Sequence, residues 1–486
     1  MIAVLLFLVP LISGILLFAT KNAQQAKMLA LLAAIATLVV SLLGLTALKQ
    51  PAYLEFDVAW LTGINSRFHL KLDGIGQLVC LLTAISFPLI ILSAWNNEYS
   101  KPNNFFGLLL LSQAGLMGVF LSVDLLLFYF FWELALIPVY FLCSGWGGEK
   151  RIAVTFKFFI YTFVGSLIML VGIIALYFQC NETFDLKIIL SQKIDPQVQN
   201  WLFWFFFVAF AIKMPVWPFH TWQPDTYEQS PTPVTMVLSG IMVKMGLFAV
   251  IRWVAPVFSS AFYQWGDTIS LLCIVGMLYA SVVAIKQDDL KRLIAYSSIA
   301  HIGLMCLALF ASNKSGMQGA VLQMFVHGIN IIGLWIVANT IEQNYGTRKI
   351  SELGGLAQQA PTLTIMLVII ALANIALPLT NAFVGEFMMF NGMLSSKITR
   401  YNELDTVLAG LCIILAAVYT LNMIKQVFYG AVKREAVGNN AFTMPVKLAL
   451  TVIIVLILVM GVYPKPFLDL TNEAVDAVLN RMITVK

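Results

Sequence analysis

Apolar residues run along this chain in long blocks, separated by short polar turns such as GGEKR at 147–151 and KQDDLKR at 286–292. About 18 to 20 consecutive apolar residues, wound as a helix, cross the roughly 30 Å of hydrocarbon in a bilayer. No water is available there, so every backbone polar group must be paired within its own element, and each block predicts a helix. The blocks place helices at about 2–20, 28–48, 74–94, 106–122, 124–143, 157–178, 201–219, 231–253, 268–285, 293–311, 317–341, 361–396, 406–430 and 446–463, with the 361–396 block interrupted. The stretches 49–73 and 179–200 read as longer loops. After Pro464, the segment PFLDLTNEAVDAVLN carries apolar residues at helical spacing and reads as an amphipathic tail along the membrane surface.

The fold class that follows is an all-α integral membrane protein of about fourteen transmembrane helices, two of them interrupted. An even number of crossings puts both termini on one side. Lys and Arg are richer in the loops opposite the termini, so the positive-inside rule puts the termini outside. The first block lacks a basic leader and a small-residue cleavage site, and is expected to be a retained helix.

Composition narrows the class further. Hydrophobic residues make up 60% of the 486 and charged residues 11%, well below the roughly 25% charge of soluble domains. The six cysteines, Cys80, Cys143, Cys180, Cys273, Cys306 and Cys412, show no ligand spacing, so neither a metal nor an iron–sulfur cluster is expected in this chain. No phosphate-binding glycine motif stands between a strand and a helix, which leaves nothing to bind nicotinamide, flavin or nucleotide, and no nucleic-acid partner is expected.

Against that background, four charges fall inside apolar blocks: Glu133, Lys213, Lys244 and Glu386. Each costs at least about 2.5–3.5 kcal/mol to insert near the bilayer centre, so each is expected to face the bundle interior or a hydrated path. A carboxylate and a lysine brought together, as Glu133 and Lys213 are expected to be, tune each other's protonation; the bland alternative is a packing ion pair. Lys213 is followed by Pro215 and Pro218, which remove backbone donors and break the helix in mid-membrane. Glu386 follows a second interruption, PLTN at 378–381. Two broken helices, each with a charge, are the pairing expected of an inverted repeat. Lys244 lies mid-block and is the best single candidate for the proton carrier. Glu386 has a plain alternative role, capping its half-helix.

His301 and His327 lie in consecutive helices between the breaks, and histidine passes protons between its two nitrogens near neutral pH. Tyr296, Ser297 and Ser298 are candidates to hold water beside His301. His220, at the end of the broken helix, and His69, in a loop, look peripheral.

Five segments carry a resemblance: SVDLLLFYFFWELALIPVYFL, KMPVWPFHTWQPDTYEQSPTPVTMVLSGIMVKMGLFAVIR, LKRLIAYSSIAHIGLM, QMFVHGINIIGLWI and NAFVGEF. Over about residues 70–430 the chain resembles the antiporter-like, proton-translocating membrane subunits of bacterial NADH–quinone oxidoreductase, respiratory complex I. The resemblance implies two inverted five-helix repeats, with 1–105 as N-terminal helices, 106–253 as the first repeat, 268–430 as the second, and 446–486 as the last helix and tail. It implies a translocase subunit with no redox centre, driven by redox chemistry in partner subunits that hold the flavin and iron–sulfur clusters. It matches Glu133 and Lys213 to the family's carboxylate–lysine pair and Lys244 to the central lysine. His301 and His327 match linking positions, and Glu386 the terminal residue of the axis. Sister chains L and N carry lysine at that last position, so glutamate points to the remaining branch, with L and N as partners in a bacterial inner membrane, termini periplasmic. The rival families are cation/proton antiporter subunits and membrane-bound hydrogenases. Departures from the family pattern are Gln223 and Tyr227, where leucine and histidine are usual, and Leu379, where glycine is usual.

Overall fold

The structure is a computed structural model that describes residues 1–47, 51–437 and 442–484; the last residue expected in the 28–48 helix and the final two of the tail lie outside them. It is mostly helical. Among the described residues eleven helices are long and apolar enough to cross a membrane, and two shorter apolar helices, Ile2–Leu17 and Pro361–Asn374, accompany them.

Three helices form the inside of the bundle. The apolar windows of Thr232–Val257, Leu290–Phe310 and Lys314–Tyr345 are fully buried, and these helices carry Lys244, His301 and His327. Arg151–Gln179, Asn402–Phe428 and Met444–Val462 instead show much of their apolar surface, through Phe156, Val407, Ile414 and Val462 among others. An apolar shell this extensive is stable only against lipid or other membrane chains.

Local sequence sets the helix starts. Asp73, Asp124, Asp289 and Asn313 each precede an apolar run, and each accepts a hydrogen bond from a first-turn N–H, those of Gly76, Leu127, Arg292 and Gly316, at 2.9–3.1 Å. Small residues let backbones close up. A Cβ on Gly115 would meet the backbone nitrogen of Ala135, and one on Gly74 would fall on the carbonyl of Leu470, where the tail is seated.

Both interruptions occur. Pro196–Lys213 ends at the lysine, and after a turn through Pro215 and Pro218 the chain resumes as Trp222–Gln229. Pro361–Asn374 stops at Asn374 and Asn381–Leu394 begins after a turn in which Ala376 and Leu379 have left-handed φ of 56° and 68°. The helix Thr232–Val257 is wound more widely over Leu238–Met242 and Val250–Val254, on either side of Lys244. Such widened turns gather at functional positions because they shift side chains off the regular helical stagger.

Two expectations need correction. The 49–73 loop contains an antiparallel hairpin, Glu55–Leu61 with Ser66–Lys71, so the fold is not purely α. Its strands, EFDVAWL and SRFHLK, mix charged with β-branched and aromatic residues, a weak period-2 signal beside the apolar helices. His69 is consequently a buried strand residue and no loop histidine. The tail does form a helix, Lys465–Thr484, but it does more than lie on a surface: Val475 and Met482 are fully buried.

Candidate functional site

Lys213 ends its half-helix with the side chain 2% exposed, and its Nζ meets no hydrogen-bonding atom. It lies 5.7 Å from the ring centre of Trp132 and 5.9 Å from that of Phe158, on the neighbouring helices. Glu133 follows Trp132 directly, so carboxylate and lysine are near each other, yet no ion pair joins them among the described residues and Glu133 Oε1 is buried without a partner. The expected pairing is therefore one of proximity, with no direct contact.

The Lys213 turn packs closely on the Lys244 helix. A Cβ on Gly246 would meet the Phe210 carbonyl at 2.8 Å and Met214 Cβ at 2.9 Å, so only glycine permits the approach. Lys244 itself is fully buried. Its Nζ donates to the Ser239 carbonyl at 2.7 Å and lies 2.8 Å from Nδ1 of His327. When the lysine is an ammonium, Nδ1 must be the lone-pair nitrogen; when Nδ1 carries hydrogen, the amine must be neutral. One proton is shared across that contact.

The His327 ring centre lies 5.4 Å from that of His301. His301 places Nδ1 2.9 Å from the Ser297 carbonyl and Nε2 2.9 Å from the carbonyl of Asn374, the last residue before the second break. Two carbonyl acceptors are satisfied together only by a ring carrying hydrogen on both nitrogens. Nε2 is also 3.9 Å from Oε1 of Glu386. Glu386 is 4% exposed, and the same oxygen accepts from Nε2 of Gln323 at 3.4 Å. Lys244, His327, His301 and Glu386 thus stand in one buried line that runs from the central helix to the second break.

Several expectations change at this level. Glu386 is the sixth residue of Asn381–Leu394, beyond the first turn where a carboxylate caps a helix. Ser297 contributes its carbonyl to His301, and its hydroxyl accepts from Tyr419 at 2.9 Å. His220 is buried, its ring centre 5.1 Å from that of Tyr279. Gln323 and Asn374, being uncharged, do not stand out in the sequence. The signal for Gln323 was its place four residues before His327, on the same helical face.

Charged residues at one end of the bundle tie the first break to other helices. Glu228 accepts from Arg292 at 2.8 Å and Arg348 at 2.9 Å, and Asp225 accepts from Arg292 at 3.1 Å and Lys157 at 2.9 Å. A cavity of about 720 Å³ lies apart from the buried line, between the hairpin, the end of the Lys244 helix and the tail, with His69 and Arg252 in its wall. Among the described residues no cluster of His, Cys, Asp and Glu is arranged to hold a metal ion, and all six cysteines are free and buried.

The family described as NADH:quinone oxidoreductase/Mrp antiporter, transmembrane, matches residues 122–414. The chain is 36% identical over 469 residues to NADH-quinone oxidoreductase subunit M of Rhodobacter capsulatus, covering 93% of this chain and 90% of that one. It is 33% identical to subunit M of Escherichia coli K12, covering 97% and 96%. Among solved structures, a chain of respiratory complex I from Thermus thermophilus with bound NADH superposes with a TM-score of 0.91 at 28% identity, over 99% of this chain and 100% of that one. A chain of the Mrp complex from Dietzia gives 0.88 at 19% identity, covering 100% and 98%, a likeness of fold.

Proposed function

Since this chain belongs to the NADH:quinone oxidoreductase/Mrp antiporter transmembrane family, we propose that it is a proton-translocating membrane subunit of an NADH–quinone oxidoreductase, equivalent to subunit M. The chain performs no redox step. In this reading it crosses the bacterial inner membrane fourteen times with periplasmic termini, and its residues 106–253 and 268–430 are inverted five-helix repeats. Its neighbours are the sister chains L and N, and flavin and iron–sulfur clusters belong to other subunits.

The observation that carries the reading is the buried line Lys244–His327–His301–Glu386. Each member holds or releases a proton, and the helices bearing the first three lie inside the bundle, away from lipid. Redox-driven changes elsewhere alter the Glu133–Lys213 neighbourhood. That changes the field at Lys244, whose proton moves to His327, on through His301, and leaves by way of Glu386. A structural scaffold gains nothing from charges that each cost about 2.5–3.5 kcal/mol to insert. Proton uptake linked to NADH oxidation, measured in vesicles that hold the assembled complex, tests the reading. Lys244→Ala is expected to assemble and to abolish uptake; uptake at the parent rate overturns it.

A further inference from the structure

Gln323 lies on the inward face of Lys314–Tyr345, one turn before His327, and is 2% exposed. Its Nε2 reaches Oε1 of Glu386 at 3.4 Å, the same carboxylate oxygen that faces His301. Its own Oε1 is buried with no hydrogen-bond partner. Burying an amide oxygen unpaired is costly, and such an atom asks for an explanation. The space beside it is kept open by Gly385, the neighbour of Glu386: a Cβ there would stand 2.6 Å from that oxygen.

An amide offers a donor on one side and an acceptor on the other. A carboxylate only accepts, whereas a carboxylic acid also donates. We propose that Gln323 is a positioning residue for the terminal proton transfer, holding one oxygen of Glu386 toward His301 in both protonation states. With Glu386 ionised, Nε2 donates to Oε1, as in the structure. With Glu386 protonated, the amide turns over beside Gly385 and its Oε1 accepts the carboxyl hydrogen. The transfer forms an O–H bond at Glu386 and breaks an N–H bond at His301 Nε2; Gln323 gains and loses no proton.

This inference rests on the relay reading above, and the experiment separates the two. Gln323→Met, of similar length and volume, is made in the whole complex beside Glu386→Gln and Asn330→Leu. Asn330 is a buried amide on the same helix, paired with Asn381 at 3.0 Å, and serves as the packing control. Vesicle proton uptake is measured as a function of pH. Gln323→Met is expected to shift the profile of uptake toward alkaline pH by about one unit, because the ionised carboxylate loses a charge-assisted hydrogen bond and the protonated acid only a weaker neutral one. Asn330→Leu is expected to leave the profile in place. Gly385→Ala, which drives the amide off its seat, is expected to shift it in the manner of Gln323→Met.

If Gln323→Met keeps the parent profile while Glu386→Gln loses uptake, the positioning role is overturned and the relay stands. If both variants pump normally, the relay reading fails with it. Poor assembly of Gln323→Met with an unshifted profile in the surviving complex also overturns the proposal, since packing alone then accounts for the residue.

Discussion

Lys244 Nζ and His327 Nδ1 face each other at 2.8 Å with both side chains sealed from solvent. In the proposed relay this contact is the step at which a proton passes from the lysine ammonium to the imidazole. Arginine cannot replace the lysine, because a guanidinium does not give up its proton. Lys244→Ala and Lys244→Arg are both expected to assemble and to lower NADH-linked proton uptake by at least roughly a hundredfold, in the range lost when a positioned acid–base group is removed. Uptake in vesicles, normalised to assembled complex, is the measurement; near-parent rates with arginine would exclude a carrier at this position.

In the proposed mechanism Glu133 acts on Lys213 through its charge, without a direct ion pair. Charge should matter there more than shape. Glu133→Gln is expected to cut turnover by roughly tenfold, about one pKa unit of lost interaction, and Glu133→Asp to keep most of it. Equal rates for the two variants would make the carboxylate a packing group.

These two predictions rest on residues that the sequence made legible. Ionised groups inside apolar blocks stand out by their insertion cost, and prolines beside them mark the broken helices, so Lys213, Lys244 and Glu386 could be picked without coordinates. The hairpin could not, because a short two-stranded element leaves little period-2 signal beside long helices. Nor could Gln323 and Asn374, since buried amides gain their roles from partners that are 63 and 73 residues away in the chain. The nearness of Glu133 to Lys213 is legible as well, but the absence of a direct ion pair is not, because it depends on how the two helices pack.

Leu379 occupies a left-handed conformation, φ 68°, at the turn of the second broken helix. Its side chain is 71% exposed, so it contributes little packing in return. A non-glycine residue held there costs about 1–2 kcal/mol. Leu379→Gly is expected to raise the Tm of the complex slightly, offset in part by the greater freedom of glycine in the unfolded chain. Gly461→Ala should do the opposite and impair assembly, because its Cβ would fall on the Leu379 carbonyl. Thermal denaturation of both variants checks the pair.

His69 holds the hairpin to the body of the protein. Nδ1 lies 2.9 Å from Asp185 and Nε2 2.8 Å from Glu55, which also has Lys71 at 3.7 Å. Burial works against the imidazolium, but the hydrogen bonds to Asp185 and Glu55 outweigh it and raise the His69 pKa above 6.5. A histidine raised in this way stabilises the fold fully below its unfolded pKa, and that contribution is lost as pH rises through the folded value. Proteolysis of the hairpin should therefore quicken from about pH 6 to about pH 9, and His69→Gln should flatten that dependence while weakening attachment at low pH. A hairpin equally resistant at both limits would show that the imidazolium is not what holds it.

Glu386 separates relay from capping most directly. It lies 3.9 Å from His301 Nε2 and is the sixth residue of its half-helix, whereas the helix dipole acts on charges within the first turn. If Glu386 ends the line, Glu386→Gln keeps the size and one acceptor oxygen but cannot titrate, so uptake should fall while assembly persists. Glu386→Lys restores a titratable group, of the type the resemblance gives to the sister chains, and should retain part of the activity although it meets His301 with like charge. Glu386→Ala should be worst, because it removes the proton site and leaves the Gln323 amide without its acceptor. Capping predicts another order, with aspartate tolerated, glutamine intermediate and lysine most harmful, since a cation opposes the positive end of the helix. Uptake and assembled complex measured together across the series decide between them. Lysine worse than alanine, with glutamine at the parent rate, would place the end of the proton line elsewhere.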